Sequence, residues 1–128
     1  QVSLEELLSS ADIVSLHCPL TAETKGMIGK EQLAQMKKTA FLINTARGGV
    51  VDQDALAAAL SDGQIAGAAL DVFDKEPPLP EDHPLLHAPN TIVTPHIGFA
   101  SVESLEQRAD IVFENLYSWL EGRQLNAV

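Results

Sequence analysis

The sequence predicts an α/β fold: part of a doubly wound parallel sheet, about four strands with flanking helices, followed by a long C-terminal helix. Three observations carry this. Short apolar runs alternate with helical patterns along most of the chain, the pattern of parallel strands joined by crossover helices. The stretch after His96 has a sustained three-and-four spacing of apolar residues. Between those two regions, residues Glu76 to Pro89 hold five of the seven prolines, which predicts an irregular surface segment.

Taken in order, Ser3 followed by Glu6 forms a capping-box pattern before Leu4, Leu7 and Leu8, so the first helix starts at about Leu4. Ile13 to Leu16 is the first strand. A helix over roughly Lys30 to Met36 leads to a second strand, Ala40 to Asn44. Asp52 is an N-cap residue for a helix through Ala55-Leu56-Ala57-Ala58-Ala59-Leu60 that stops at Gly63. Ala68 to Asp71 and Thr91 to Thr94 complete the strands. Each is too short for a helix and largely apolar, as strands of buried parallel sheets are.

In the last stretch Val102, Leu105, Ala109, Val112, Leu116 and Trp119 share one helical face, Ser101 can cap its start and Gly122 can end it. Ile111, Phe113 and Leu120 widen that face. The helix is either an ordinary core helix or one that bridges to a second domain or subunit.

The net charge of −10 repels polyphosphate and anionic lipid, which argues against a nucleic-acid or membrane partner. A single cysteine, Cys18, cannot form an internal disulfide, and no apolar run approaches the roughly 20 residues of a membrane span. A soluble, cytoplasmic setting is expected. The opening Gln1-Val2-Ser3-Leu4 reads as the interior of a longer protein.

In an open parallel sheet, ligands bind outside the carboxyl ends of the strands, where the connecting loops converge. All four predicted strands end in polar chemistry there: His17-Cys18-Pro19, Asn44-Thr45-Ala46-Arg47-Gly48-Gly49, Asp71, and Pro95-His96. Arg47 could grip a carboxylate in bidentate fashion, with two glycines allowing close backbone approach, or it could simply satisfy loop carbonyls. His96 can transfer a proton and has Glu76 available as a carboxylate partner. Asp71 ends an apolar strand and needs donors, from a ligand amide or from a loop. Cys18 lacks an activating base and no set of residues has metal-ligand spacing, so neither a thiol nucleophile nor a metal site is expected. His83 and His87, in the proline-rich segment, are expected to be exposed.

The runs Ala11 to Thr21, Ile43 to Gly49, Ala69 to Phe73 with Glu76-Pro77, and Thr94-Pro95-His96-Ile97-Gly98 resemble, in order and spacing, the signatures of the D-isomer-specific 2-hydroxyacid dehydrogenases. That resemblance implies a partial Rossmann-like sheet. Residues 1–98 would be the C-terminal half of the dinucleotide-binding domain, and 99–128 a helix and tail leading towards a substrate domain. It further implies catalytic Arg47, Glu76 and His96: Arg47 binding the substrate's carboxylate and keto oxygen, His96 acting as general acid/base, and Glu76 orienting the imidazole. Cofactor contacts would come from His17, Pro19, Thr21, Thr45, Ala46, Asp71 and Gly98. The implied reaction is reversible reduction of a 2-oxo acid to a D-2-hydroxy acid by NAD, with NADP left open, in a homodimer.

No G-x-G-x-x-G follows a strand, so the turn that holds the dinucleotide phosphates is lacking and the chain by itself is expected to be inactive. The missing strands would pair beside Ile13 to Leu16, leaving a sheet edge exposed. Two other readings stand beside the enzyme: an NAD-sensing scaffold resembling the C-terminal-binding corepressors, and a truncated structural subunit.

Overall fold

The computed structural model describes residues 1–75 and 78–127. They form two compact units, residues 1–96 and the segment after it.

The first unit begins with α1 (Leu4–Ser10), capped by the Ser3 hydroxyl, which accepts the Glu6 amide at 3.2 Å. The reciprocal half of the capping box is not made; Glu5 and Glu6 serve instead as acidic residues at the positive end of the helix dipole. The strands are β1 (Ile13–Leu16), β2 (Phe41–Asn44), β3 (Gly67–Leu70) and β4 (Thr91–Val93), all parallel and in the order β1-β2-β3-β4. β3 lies one residue earlier than expected and β4 stops before Thr94, so Asp71 and Thr94 fall just beyond the ladder.

Between strands run α2 (Lys30–Gln35), α3 (Gln53–Ser61) and α4 (Pro84–His87). Asp52 caps α3 through the Ala55 amide at 3.0 Å, and Gly63 at φ +64° ends it. Every connection steps one strand in the same direction. Because such crossovers are right-handed, the crossover helices line one face of the sheet, and α1 packs against α2, α2 against α3 and α3 against α4.

That face holds the core, built on Leu8, Val14, Leu33, Leu42, Leu56 and Leu70. The opposite face is not buried as the apolar strands had predicted: Ile13, Phe41 and Ile92 are 60%, 46% and 68% exposed. Strand alternation alone produces this, since side chains one residue apart point to opposite faces. β1 forms one edge of the sheet.

α4 corrects the expectation of an irregular proline-rich segment. Pro84 occupies the first turn, where its missing N–H costs nothing, and the His83 Nδ1 accepts the Leu85 amide at 3.3 Å. The turn forms because Leu85 is driven into the core, where it is 1% exposed. His83 is accordingly half-buried, edge-on to Phe73, rather than exposed; His87 is exposed. Replacing Leu85 by alanine should lower stability by about 2–5 kcal/mol in chemical denaturation, the usual cost of emptying a buried leucine site. A loss under about 0.5 kcal/mol would show that α4 is not anchored through this residue.

The second unit is dominated by α5 (Val102–Leu120), whose first turn is closed by reciprocal bonds between Ser101 and Ser104 and which ends before Gly122 at φ +76°. Its apolar face is exposed at Val102, Leu105, Val112, Leu116 and Trp119.

Candidate functional site

The strand register sets the site. Leu16, Asn44, Leu70 and Val93 stand in one row across the sheet, so the next residue of each strand, His17, Thr45, Asp71 and Thr94, marks a common carboxyl edge. Adjacent strands are about 4.8 Å apart, which brings the Arg47 loop, Asp71 and the Pro95-His96 segment onto neighbouring positions of that edge.

The loop after β2 is held from within. Asn44, 1% exposed, accepts the Ala46 amide at its Oδ1 and donates its Nδ2 to the Arg47 carbonyl, both at 3.0 Å. Arg47 is exposed and its Nη1 donates to the Ala46 carbonyl at 2.7 Å, so the duller role anticipated for it is also real in this state. That contact uses one of five guanidinium donors, leaving the fork able to meet an anion. Beyond Arg47 the chain makes a single 3-10 turn at Gly48–Val50. Gly48 presses against backbone: a Cβ built there would stand 2.5 Å from the Asp74 amide nitrogen and closer still to the Phe73 carbonyl group.

The loop after β1 is laced to this turn. The Gly26 amide donates to the Gly49 carbonyl at 2.8 Å, Ile28 donates to Val50 at 3.1 Å, and Asp52 donates back to Ile28 at 2.9 Å. Together the two loops and the Phe73-Asp74 segment line a cavity of about 640 Å³ that includes Leu20, Lys25, Arg47 and Gly48. This volume lies in the range of small-molecule sites.

Of the other expected site residues, His17 is exposed with Nε2 2.8 Å from the Ser15 hydroxyl. Pro19 is exposed and its carbonyl accepts the Thr24 hydroxyl at 2.6 Å. Thr21 is spent on the turn: its hydroxyl donates to Glu23 Oε2 at 2.6 Å, and that bond, with Glu23's own amide, holds the Glu23 carboxyl below its ordinary value. Thr45 is exposed and Ala46 half-buried on the edge.

Asp71 is 4% exposed and accepts the Thr94 hydroxyl at 2.5 Å, while its amide donates to the Asn44 carbonyl at 2.9 Å. His96 is half-buried and has φ +57°, a left-handed conformation uncommon for a residue with a side chain. Such strain persists only where the surroundings enforce it, and it gathers at functional sites. Gly98 falls in the second unit and is exposed. Glu76 lies outside the described residues.

Sequence reasoning named Asn44 in the polar run after the second strand and Thr94 at the end of the fourth, but gave neither a role in the site. The available signal was chemical: an asparagine closing an apolar strand must be buried, and a buried amide needs partners.

A single-faced parallel α/β sheet with an arginine, a buried aspartate and a strained histidine along its carboxyl edge defines part of a dinucleotide-type domain. The chain belongs to the family of D-isomer specific 2-hydroxyacid dehydrogenases, matching their NAD binding domain over residues 1–98. It is 54% identical over 121 residues to a glyoxylate reductase of Korarchaeum cryptofilum, covering 94% of this chain and 36% of that protein. It is 48% identical over 130 residues to a glycerate dehydrogenase of Methylorubrum extorquens, covering 99% and 41%. The crystal structure of a D-isomer specific 2-hydroxyacid dehydrogenase from Lactobacillus delbrueckii ssp. bulgaricus, in its NAD-complexed form, superposes with a TM-score of 0.90 at 39% identity, covering 99% of this chain and 42% of that one. The chain thus spans about two fifths of the length of these relatives.

The residues present fit the nicotinamide end of such a cofactor. Asp71 sets a carboxylate, which accepts the Thr94 hydroxyl, at an edge otherwise lined by exposed loops. They do not supply the glycine-rich phosphate turn.

Proposed function

We propose that this chain is part of a longer NAD-dependent dehydrogenase that reversibly reduces a 2-oxo acid to a D-2-hydroxy acid. Residues 1–98 are the C-terminal half of its dinucleotide-binding domain, and 99–128 lead towards its substrate domain. The observation that carries the reading is the in-register carboxyl edge, which sets the Arg47 loop, Asp71 and the Thr94-Pro95-His96 segment side by side. The named activities of the relatives, glyoxylate reductase and glycerate dehydrogenase, support the same substrate class.

In this reading Arg47 swings from the Ala46 carbonyl to clamp the substrate carboxylate and to stabilise negative charge growing on the keto oxygen. His96 delivers a proton from its imidazole to that oxygen, or removes it in the reverse direction. Glu76 orients the imidazole. Asp71 accepts the carboxamide of the cofactor, while His17, Pro19, Thr45 and Ala46 contribute cleft wall; Thr21 acts by shaping its turn. The cofactor, when bound, supplies the hydride. NAD is assigned over NADP on the family's description. The whole enzyme is a cytoplasmic homodimer in this reading, a compartment consistent with the free thiol of Cys18.

The test is turnover of glyoxylate, hydroxypyruvate and pyruvate by the full-length polypeptide carrying this segment. Arg47→Ala should lose about 100-fold or more in kcat/KM, the usual cost of removing a preorganised charge-stabilising donor. A wild-type protein that binds NAD yet reduces none of the three acids would overturn the reading. The isolated chain, without a phosphate turn, should show no saturable turnover in the same assay.

A further inference from the structure

We propose that Asn44 is a positioning residue that holds the backbone from which Arg47 reaches its anion-binding pose, a role resting on the reading of Arg47 given above. Both ends of the Asn44 side-chain amide are committed to one loop. Its oxygen takes the Ala46 amide and its nitrogen reaches the Arg47 carbonyl, both at 3.0 Å, so the Thr45–Ala46 and Arg47–Gly48 peptides, which bracket the Ala46-Arg47 stretch, are each fixed by one end of the same amide. The carbonyl of the same Ala46 in turn holds the guanidinium at 2.7 Å. The Arg47 carbonyl also accepts the Val50 amide at 3.2 Å, and this closes the turn against which Gly48 is wedged.

Burial makes the arrangement stiff. At 1% exposure Asn44 has no water with which to exchange these bonds, and rotating its amide would set donor against donor and acceptor against acceptor. The Asn44 carbonyl accepts the Asp71 amide at 2.9 Å, and Asp71 accepts the Thr94 hydroxyl at 2.5 Å. The clamp is therefore continuous with the strand end that leads into His96. No apolar residue could replace it, because the Ala46 N–H and Arg47 C=O would lose these partners. Aspartate keeps the acceptor but loses the donor, and would aim a second oxygen at the Arg47 carbonyl.

The test uses the full-length enzyme and four proteins: wild type, Asn44→Ser, Arg47→Ala and the double variant. Asn44→Ser should raise KM for the oxo acid and lower kcat/KM by about 10–100-fold, as a misplacement near 1 Å does. In the Arg47→Ala background the same substitution should change kcat/KM by less than about twofold, because it acts through a side chain already removed. An equal loss in both backgrounds, or a drop in thermal stability with KM unmoved, overturns the proposal. If Asn44→Ser fails to fold, Asn44→Asp takes its place, and failure of both assigns Asn44 a purely structural role and likewise overturns it. An Arg47→Ala enzyme as active as wild type sinks the reading of Arg47 itself, a result separable from all of these.

Discussion

Replacing Gly48 by alanine should cost the full-length enzyme at least about 100-fold in kcat/KM, with a fall in stability alongside, although only one methyl group is added. The Cβ would sit 2.5 Å from the Asp74 nitrogen and closer to the Phe73 carbonyl, and backbone cannot rotate away as a flexible side chain can. Either the Arg47 turn or the Phe73-Asp74 segment must move, and both line the same cavity. Gly49→Ala is the internal control. There the new atom meets the Leu20 side chain at 3.1 Å, which can yield by a few tenths of an ångström. Parallel kinetics and thermal melts of the two variants decide the matter: equal activity would mean that the close approach at Gly48 does not control the site.

His96→Asn should lower kcat by about 100- to 10,000-fold while leaving the melting temperature near that of wild type. Asparagine is among the residues best suited to the left-handed backbone that His96 adopts at φ +57°, so this substitution removes the imidazole without adding strain. Unchanged kcat would take the acid/base role away from His96. His96→Gly adds a second comparison. It too removes the imidazole and should lose kcat as the asparagine variant does, while its melting temperature set against that variant's reads the cost of the left-handed backbone.

Most of the architecture was legible because it is local. The caps at Ser3, Asp52 and Ser101, the stops at Gly63 and Gly122, and the short apolar strands each follow from residues within a few positions of one another. The row of polar residues at the strand ends was legible too, since a parallel α/β pattern puts every strand's carboxyl end on one edge. The family signatures in residues 11–21, 43–49, 69–73 and 94–98 were readable for the same reason, being short and in fixed order.

What sequence left undecided depends on residues far apart in the chain. The turn α4 exists because Leu85 finds the core, a contact that proline content alone does not report. The sheet face carrying Ile13, Phe41 and Ile92 and the α5 face carrying Val112 and Trp119 are apolar in sequence yet exposed in the folded chain. Hydrophobicity says what gains by burial; only the packed structure says whether a partner surface is there. The site shows the same division. Arginine, aspartate and histidine could be named from their positions, but the Asp71–Thr94 bond joins residues 23 apart that the β3–β4 register brings together, and the Asn44 clamp and the left-handed turn at His96, though local, are conformations that residue type alone does not specify. Composition and periodicity thus determined which elements form and which edge carries the chemistry. The tertiary structure decided how each polar group is held, because hydrogen-bond partners are chosen by geometry in space rather than by neighbourhood in sequence.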